Sequence, residues 1–282
     1  ALDNGIISAA LTMINASFGV SAVAGTWGIT LYTLGLAIMT PIVGKLSDRY
    51  GRKKLFLIEI TIFTIGSFLV VISPNFTFFL VARLIQSFGG GGIFIIASSH
   101  VISTVKKEKQ GSMIGILGGM NGIAAVIGPN VGSFLMGITG TWHWLFLINV
   151  PIGILLVVGG FMYMEESSDR VISKIDFLGI SLLTFSILSI MFAVNNISSG
   201  NLLNSILNWS VLGLLLLGII IFIVLIFVEK RNETVNIDPI LSYSLLRKPT
   251  YAATMIMALL SGVFIGSVIF IPSFVEQVLG LP

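Results

Sequence analysis

Long apolar runs separated by short polar segments dominate this chain. Each run is long enough to cross a bilayer as a helix, whereas the strands of a transmembrane barrel would alternate over about ten residues. The runs lie near 1–18, 24–43, 55–73, 77–104, 111–138, 143–164, 175–196, 209–228 and 251–275. The pattern therefore predicts an all-α integral membrane protein with about nine spans.

Charge is concentrated between these runs. The segment 44–55 alone carries six of the 27 charged side chains. Lys and Arg accumulate in cytoplasmic loops of membrane proteins, and here 14 of the 15 basic residues fall in alternate connections, with Arg83 the exception. We therefore expect the cytoplasmic loops to lie at 44–55, 105–110, 165–174 and 229–249.

Composition agrees with a membrane protein. The chain is 55% hydrophobic and 10% charged, and its mean hydropathy is +1.04. The net charge of +3 is explained by the basic loops, so no nucleic-acid partner is expected. The sequence has no cysteine, and it shows no metal-ligand cluster, nucleophilic triad or phosphate-binding loop. These features predict neither an enzyme nor a bound cofactor.

Two charged residues fall inside predicted spans, Asp3 in the first and Arg83 in the fourth. A charge at membrane depth is costly, so it usually faces a cavity or a partner and marks an ion or substrate path. We therefore expect Arg83 to have an acidic or carbonyl partner, and Asp3 to take up and release a proton. The alternatives are a helix-capping role for Asp3 nearer the interface and a purely structural ion pair.

Five segments stand out as motifs. They are Leu2–Ile7 (LDNGII), Gly44–Lys53 (GKLSDRYGRK), Arg83–Gly91 (RLIQSFGGG), Gly118–Gly132 (GGMNG to GPNVG) and Trp142–Pro151 (WHWLFLINVP). Together, in this order, they resemble the major facilitator superfamily, and within it the fourteen-helix drug:proton antiporters. The chain departs from the family pattern at Gly5, where Thr is usual, and at Ser87, where Gly is usual. The resemblance also implies that spans one and four are neighbours, which makes Asp3 the expected partner of Arg83.

The resemblance implies a function for two of these segments. In the turn, the implied latch between two transporter halves would comprise Gly44, Asp48, Arg49, Gly51 and Arg52. The alternative for the turn is a topological anchor. In the fifth span, the exporter motif would pack closely against the second half through Gly118, Gly122, Gly128, Pro129 and Gly132. The alternative there is ordinary packing of small residues between helices.

The domain organisation also follows from the resemblance. It implies a six-helix transport bundle at 1–164 and cytoplasmic loops at 165–249 that contain two inserted helices, near 175–196 and 209–228. The first helix of the C-terminal bundle would lie at 250–282. We therefore expect about nine of fourteen helices, in a chain that begins part-way through the first span.

Other polar residues give weaker signals. Glu59, in span three, is expected to extend towards the basic turn, and His100 is expected to be an ordinary helix histidine. Glu276 is equally compatible with an interface or a pathway. The candidates for the cavity wall are Tyr32, Gln86, Asn121, Asn130 and Glu276.

The sequence thus predicts a secondary transporter that exports amphipathic, often cationic compounds in exchange for protons. The proton gradient would supply the energy, and the partners would be the lipid bilayer, a small-molecule substrate and protons. We expect a monomer in a bacterial plasma membrane. The alternatives are a narrow-substrate exporter of a lipid, peptide, metabolite or chelated antibiotic, a nutrient importer, and a membrane sensor or scaffold without transport.

Overall fold

The computed structural model describes residues 2–166, 176–197, 202–235, 237 and 239–279, without the side chains of 2, 4, 5, 8, 9, 202, 203 and 265–279. All regular elements in these ranges are helices. They are α1 (Leu2–Phe18), α2 (Ala22–Gly25), α3 (Trp27–Tyr50), α4 (Arg52–Val71), α5 (Phe76–Gly90), α6 (Ile93–Thr104), α7 (Lys107–Thr139), α8 (His143–Leu147), α9 (Asn149–Tyr163), α10 (Phe177–Asn195), α11 (Leu202–Ile206), α12 (Trp209–Thr234), α13 (Tyr243–Leu246) and α14 (Pro249–Leu279).

Most of these helices suit a membrane. In the described part of the chain, seven spans are long and apolar enough to cross one, and three of them join two consecutive helices: α2 with α3, α5 with α6, and α8 with α9. α1 and the described start of α14 are shorter apolar helices. Every predicted span has a helix, so the all-α membrane prediction is confirmed.

The outward faces of the helices are apolar. Leu155 and Phe161 on α9 are 71% and 70% exposed, and Phe227 on α12 is 68% exposed. Contact of so much apolar surface with water would be unfavourable, whereas lipid tails solvate it well. These faces are therefore where lipid contacts the protein.

The core forms around α1. Ile6, Ile7 and Ile14 of this helix are fully or almost fully buried, and α1 packs along α7. Aromatic rings close one end of this core, with Phe79 of α5 in an edge-on contact with Trp142, whose centroid is 5.8 Å away. The indole of Trp142 donates to Ser17 Oγ at 3.0 Å, which ties this end of the core to α1.

Glycines let α4 and α5 approach each other closely. A Cβ on Gly66 of α4 would clash with the backbone of Gln86, and one on Gly89 of α5 would clash with the backbone of Phe63. Small residues at helix interfaces allow such backbone contact in membranes. The contact fixes the position of Gln86, which belongs to the polar site described below.

The span predicted near 77–104 is present as Phe76–Thr104, but it consists of two helices with a break between them. α5 ends at Gly90 and α6 begins at Ile93. Side chains from neighbouring spans satisfy the backbone groups that the break frees: Thr40 Oγ1 donates to Gly91 O at 2.9 Å, and Gly92 N donates to Glu59 Oε2 at 2.9 Å. Glu59 is buried at this break, so it does not extend towards the basic turn as predicted.

α10 and α12 form an antiparallel hairpin beside the other helices. Ser186 Oγ of α10 donates to Gly218 O of α12 at 2.9 Å, and a Cβ on Gly218 would crowd Ile190. The hairpin packs on α3, where the rings of Trp27 and Phe192 are 5.6 Å apart. The two helices predicted as an inserted pair therefore pack against each other and against one helix of the bundle.

Candidate functional site: a buried ion pair between the helices

Asp3 and Arg83 form a buried ion pair. Asp3 lies in the first turn of α1 and is 5% exposed, while Arg83 on α5 is completely buried. Arg83 Nη1 donates to Asp3 Oδ2 at 2.6 Å. The cost of leaving either charge alone in the membrane, together with the neighbouring spans that the resemblance implies, predicted this contact, and the geometry agrees.

Asp3 also receives two amide donors. Gln86 Nε2 on α5 donates to Asp3 Oδ1 at 3.0 Å, and Asn149 Nδ2 at the start of α9 donates to the same oxygen at 3.3 Å. Gln86 Nε2 lies 2.8 Å from Ser67 Oγ on α4 as well. The carboxylate is therefore held by side-chain donors from two helices, and one of those donors is anchored on a third.

Arg83 is enclosed by acceptors and aromatic rings. Its Nη1 donates to Gln86 Oε1 at 2.6 Å and its Nε to Gly28 O at 3.3 Å. Its Cζ lies 4.0 Å from the centroid of the Tyr32 ring and 5.3 Å from that of Phe146. Tyr32, predicted on a cavity wall or in an interfacial belt, is thus buried against the cation.

One donor of the guanidinium is unused. Arg83 Nη2 is buried and has no hydrogen-bond partner in the described part of the chain. A buried polar group without a partner costs free energy, so it marks a place where another acceptor would bind favourably. Arg83 can therefore engage a further acceptor without first releasing Asp3.

The pair has the physical properties of a switch. Because both side chains are buried, the attraction between the charges is strong, and removing one charge leaves the other buried and uncompensated. Protonation of Asp3 neutralises the carboxylate and weakens its bond to Arg83 without leaving a buried negative charge. An incoming cation could also replace the guanidinium as the partner of Asp3.

Of the two glycines of the predicted latch, Gly51 has a backbone conformation that requires glycine, and Gly44 does not. Gly51 has φ +103° and ψ 139°, a conformation that only glycine adopts without strain. Arg52 Nη2 lies 3.3 Å from Asp48 Oδ1, and Arg49 stacks on the Tyr50 ring. Gly44 differs from Gly51, because it lies inside α3 with room for a Cβ 3.5 Å from Ile95.

The turn has a partner that the sequence did not suggest. Glu166, which follows α9, accepts a hydrogen bond from Lys53 N at 3.2 Å, at the beginning of α4. A Cβ on Gly51 would clash with the same carboxylate. An acidic group at a helix N-terminus is favourable, so Glu166 ties the end of α9 to this turn.

The glycines of α7 divide into two groups. Gly128 and Gly132 are buried, and Pro129 lies between them inside the helix. A Cβ on Gly118 or Gly122 would meet no atom within 4 Å. The close packing predicted at Gly118 and Gly122 is therefore not made by the part of the chain that the structure describes.

The remaining predicted residues are spread out. Asn121 and Asn130 are exposed, and Asn130 Nδ2 donates to Val126 O of its own helix at 3.2 Å. Glu276 is in α14, but its side chain lies outside the described residues. Ser87, the departure from the family pattern, is buried and packs on Gly35, where a Cβ would clash with its hydroxyl. Gly35 thus makes room for Ser87.

Sequence reasoning missed three members of the polar site: Ser67, Asn149 and Phe146. Asn149 offered a usable signal, since it is a lone amide in an apolar segment and comes two residues before Pro151. Ser67 and Phe146 offered none, because single serines and phenylalanines are common in apolar spans.

The fold is a multi-pass helical bundle that encloses a buried, hydrogen-bonded ion pair. The protein is therefore a polytopic membrane protein with an internal polar site. The family model described as Major Facilitator Superfamily matches residues 1–177. The chain belongs to this superfamily, which is a family of membrane transporters and not of enzymes.

Several curated relatives match along much of the chain. It is 58% identical over 282 residues to "Uncharacterized MFS-type transporter YfiU" of Bacillus subtilis (strain 168), covering 100% of this chain and 54% of the relative. It is 36% identical over 281 residues to "Multidrug resistance protein 3" of the same organism, covering 99% and 53%. It is 35% identical over 201 residues to "Multidrug efflux pump SdrM" of Staphylococcus aureus (strain N315), covering 70% and 44%. The chain thus spans about half the length of these relatives.

Proposed function

We propose that this chain is the N-terminal part of a proton-coupled transporter that exports amphipathic, often cationic compounds by alternating access. The central observation is the buried Asp3 carboxylate, held by Arg83, Gln86 and Asn149. Two relatives named for multidrug resistance or efflux support the choice of cargo. An intramembrane acid with exchangeable partners is what exchange of a cation for a proton requires.

In this proposal, a proton and a cationic substrate compete for Asp3. Outside the cell, protonation of Asp3 displaces the substrate; inside, an arriving substrate displaces the proton. Arg83 sets the balance, because its guanidinium holds Asp3 when neither ligand is bound. Broad selectivity follows because apolar burial is non-directional and scales with area.

The alternation itself would involve the turn and α7. The turn, with Arg52 and Asp48 3.3 Å apart, would act as a latch on the cytoplasmic side that opens in each cycle. The open face of α7 at Gly118 and Gly122 would meet the second half of the transporter. Rigid-body rocking of two halves around a midplane site is the common mode of such transporters.

The same proposal covers the organisation of the protein. Residues 1–164 would form the first bundle, α10 and α12 an inserted pair, and α14 the first helix of the second bundle in a fourteen-helix protein. The protein would work as a monomer in the bacterial cell membrane, with its basic loops in the cytoplasm.

The test uses the full-length protein reconstituted in vesicles with an imposed pH gradient, with ethidium fluorescence and internal pH followed together. We expect dye movement that dissipates the gradient and is lost in Asp3→Asn. Glu108→Gln, which removes an exposed acid at the start of α7, is the matched control and should transport normally. Full proton-coupled export by Asp3→Asn would contradict the mechanism.

The narrow-substrate alternative has its own outcome in this assay. If the protein moves no member of a panel of cations, but a lipid, peptide or metabolite dissipates the gradient in a manner that depends on Asp3, the coupling site stands and the proposed cargo is wrong. If none of these compounds is transported and the pH gradient stays stable, the result would favour a sensor or scaffold.

A further inference from the structure

A second buried acidic site lies at the cytoplasmic end of the α10–α12 hairpin, away from Asp3. Asp176 immediately precedes α10, and Glu229 lies near the end of α12. They are 6% and 0% exposed. Neither residue takes part in the function proposed above, so the inference does not depend on it.

Asp176 has the surroundings of an ionised carboxylate. Its Oδ1 accepts a hydrogen bond from Gly179 N at 2.8 Å, at the beginning of α10, and its Oδ2 accepts one from Asn232 Nδ2 of α12 at 2.7 Å. Both oxygens therefore have donors, and the helix N-terminus favours a negative charge there.

Glu229 has different surroundings. Its Oε1 accepts two backbone N–H groups, from Ile240 at 3.1 Å and Leu241 at 3.2 Å. Its Oε2 is buried and has no hydrogen-bond partner among the residues that the structure describes. An ionised carboxylate spreads its charge over both oxygens, so it would bury half of that charge without a donor.

The two acids face each other across Gly179. A Cβ on this glycine would clash with Asp176 Oδ2 and lie 2.9 Å from Glu229 Oε1, which places the carboxylates within about 5 Å of each other. Among the described residues, Asp176 acts on Glu229 as an anion, and Lys45 of α3 acts on it more weakly as a cation. Two buried like charges at this separation disfavour simultaneous ionisation.

We propose that Glu229 is a second proton-binding site, and that it holds a proton at neutral pH. A neutral Glu229 removes the repulsion that two ionised carboxylates would have at this separation. Ile240 and Leu241 lie in the connection between α12 and α13. A carboxylate accepts N–H donors more strongly than a neutral acid does, so release of the proton tightens the hold of α12 on this connection.

Infrared spectroscopy of the full-length protein in lipid, titrated over pH, tests this directly. A protonated carboxyl has a C=O stretch that a carboxylate lacks. We expect Glu229→Gln to lose one such component at neutral pH, and Glu233→Gln, one turn further along α12 and partly exposed, to retain it. Asp176→Asn should shift the disappearance of the Glu229 component to more acidic pH, by about one unit or more, because the neighbouring negative charge is gone.

Helix content and elution as a single species show which variants fold. If Glu229→Gln does not fold, the Asp176→Asn titration still decides the question. Identical carboxyl spectra for the wild type and a folded Glu229→Gln would overturn the proposal, since Glu229 would then be ionised at neutral pH. A titration that Asp176→Asn leaves unchanged would overturn it as well.

Discussion

Arg83 has more partners than any other charged residue of the site. Its guanidinium contacts Asp3, Gln86 and the Gly28 carbonyl, and it stacks on Tyr32. A lysine could not replace Arg83 here, because its ammonium group has neither the planar, forked donors nor the flat face that stacks on Tyr32. The site is thus built around an arginine.

Removing one charge of the Asp3–Arg83 pair should lower the stability of the protein more than removing both charges. Arg83→Gln leaves Asp3 buried without its cation and should lower stability by about 3–5 kcal/mol. The double variant Asp3→Asn/Arg83→Gln has no buried charge and should recover most of that loss, although neither variant transports. Thermal unfolding in detergent measures both, and a double variant less stable than Arg83→Gln would contradict the pairing.

The two glycines of the predicted latch should respond differently to alanine. Gly51→Ala forces a Cβ into a left-handed conformation facing Glu166 and should cost about 1–3 kcal/mol. Gly44→Ala lies inside a helix with room to spare and should be neutral or slightly stabilising, by up to about 1 kcal/mol. Equal effects in thermal unfolding would show that the turn conformation described for Gly51 is not the one in the membrane.

At the scale of the helices, the break in the fourth span is the feature that side chains must compensate. Glu59 of α4 accepts the free N–H of Gly92, and Thr40 of α3 donates to the carbonyl of Gly91. In a lipid environment such groups have no water to bind, so the neighbouring helices must supply the partners. Glu59 therefore has a structural role in the position of α6.

Removal of the Glu59 acceptor should measurably lower the stability of the protein. Glu59→Leu leaves Gly92 N unsatisfied and should cost about 1–3 kcal/mol, whereas Glu59→Gln keeps an acceptor oxygen and should cost less. Hydrogen exchange near Gly92, together with thermal unfolding, checks this order. Faster exchange in Glu59→Gln than in Glu59→Leu would contradict the assignment.

The contact between α4 and α5 can be tested at Gly66. A Cβ there would clash with the backbone of Gln86, so Gly66→Ala should displace α5 and cost about 1–3 kcal/mol, with loss of export. Gly159→Ala on α9, where a Cβ meets no atom within 4 Å, is the control. Wild-type stability and export in Gly66→Ala would show that the helices are further apart than described.

The sequence predicted the spans well but the details of the site only in part. Continuous apolar runs and basic loops determine where a chain crosses a bilayer, so every predicted span has its helix. The pairing of Asp3 with Arg83 followed from the cost of isolated charge together with the neighbouring positions of spans one and four that the resemblance implies. The sequence marks Asn149 as a lone amide in an apolar segment, but its contact with Asp3 depends on where α9 packs. The break at Gly91 depends on partners in α3 and α4, which local sequence does not reveal.

At the scale of the whole molecule, the described chain leaves one large surface open. α7 is 33 residues long, yet only Gly128 and Gly132 are buried among its residues. The resemblance to exporters assigns this face to contact with the second half. The relatives are about twice as long as this chain, so they contain the residues to cover it.

A bulky residue on that face should block transport without unfolding the protein. Gly118→Leu should reduce export at least about tenfold, a difference of about 1.4 kcal/mol or more, because it would hold the halves apart. Gly159→Leu on α9 should leave export within about twofold of wild type, a change of less than about 1 kcal/mol. Transport in reconstituted vesicles distinguishes them, and equal rates would place the α7 face against lipid.

If a proton and a cation compete for Asp3, binding of a cationic substrate must release protons. Ethidium is added to the purified full-length protein in weakly buffered detergent solution, and pH is followed. We expect release of protons on binding, lost in Asp3→Asn and retained in Glu108→Gln. Binding without proton release, or the same release from Asp3→Asn, would contradict it.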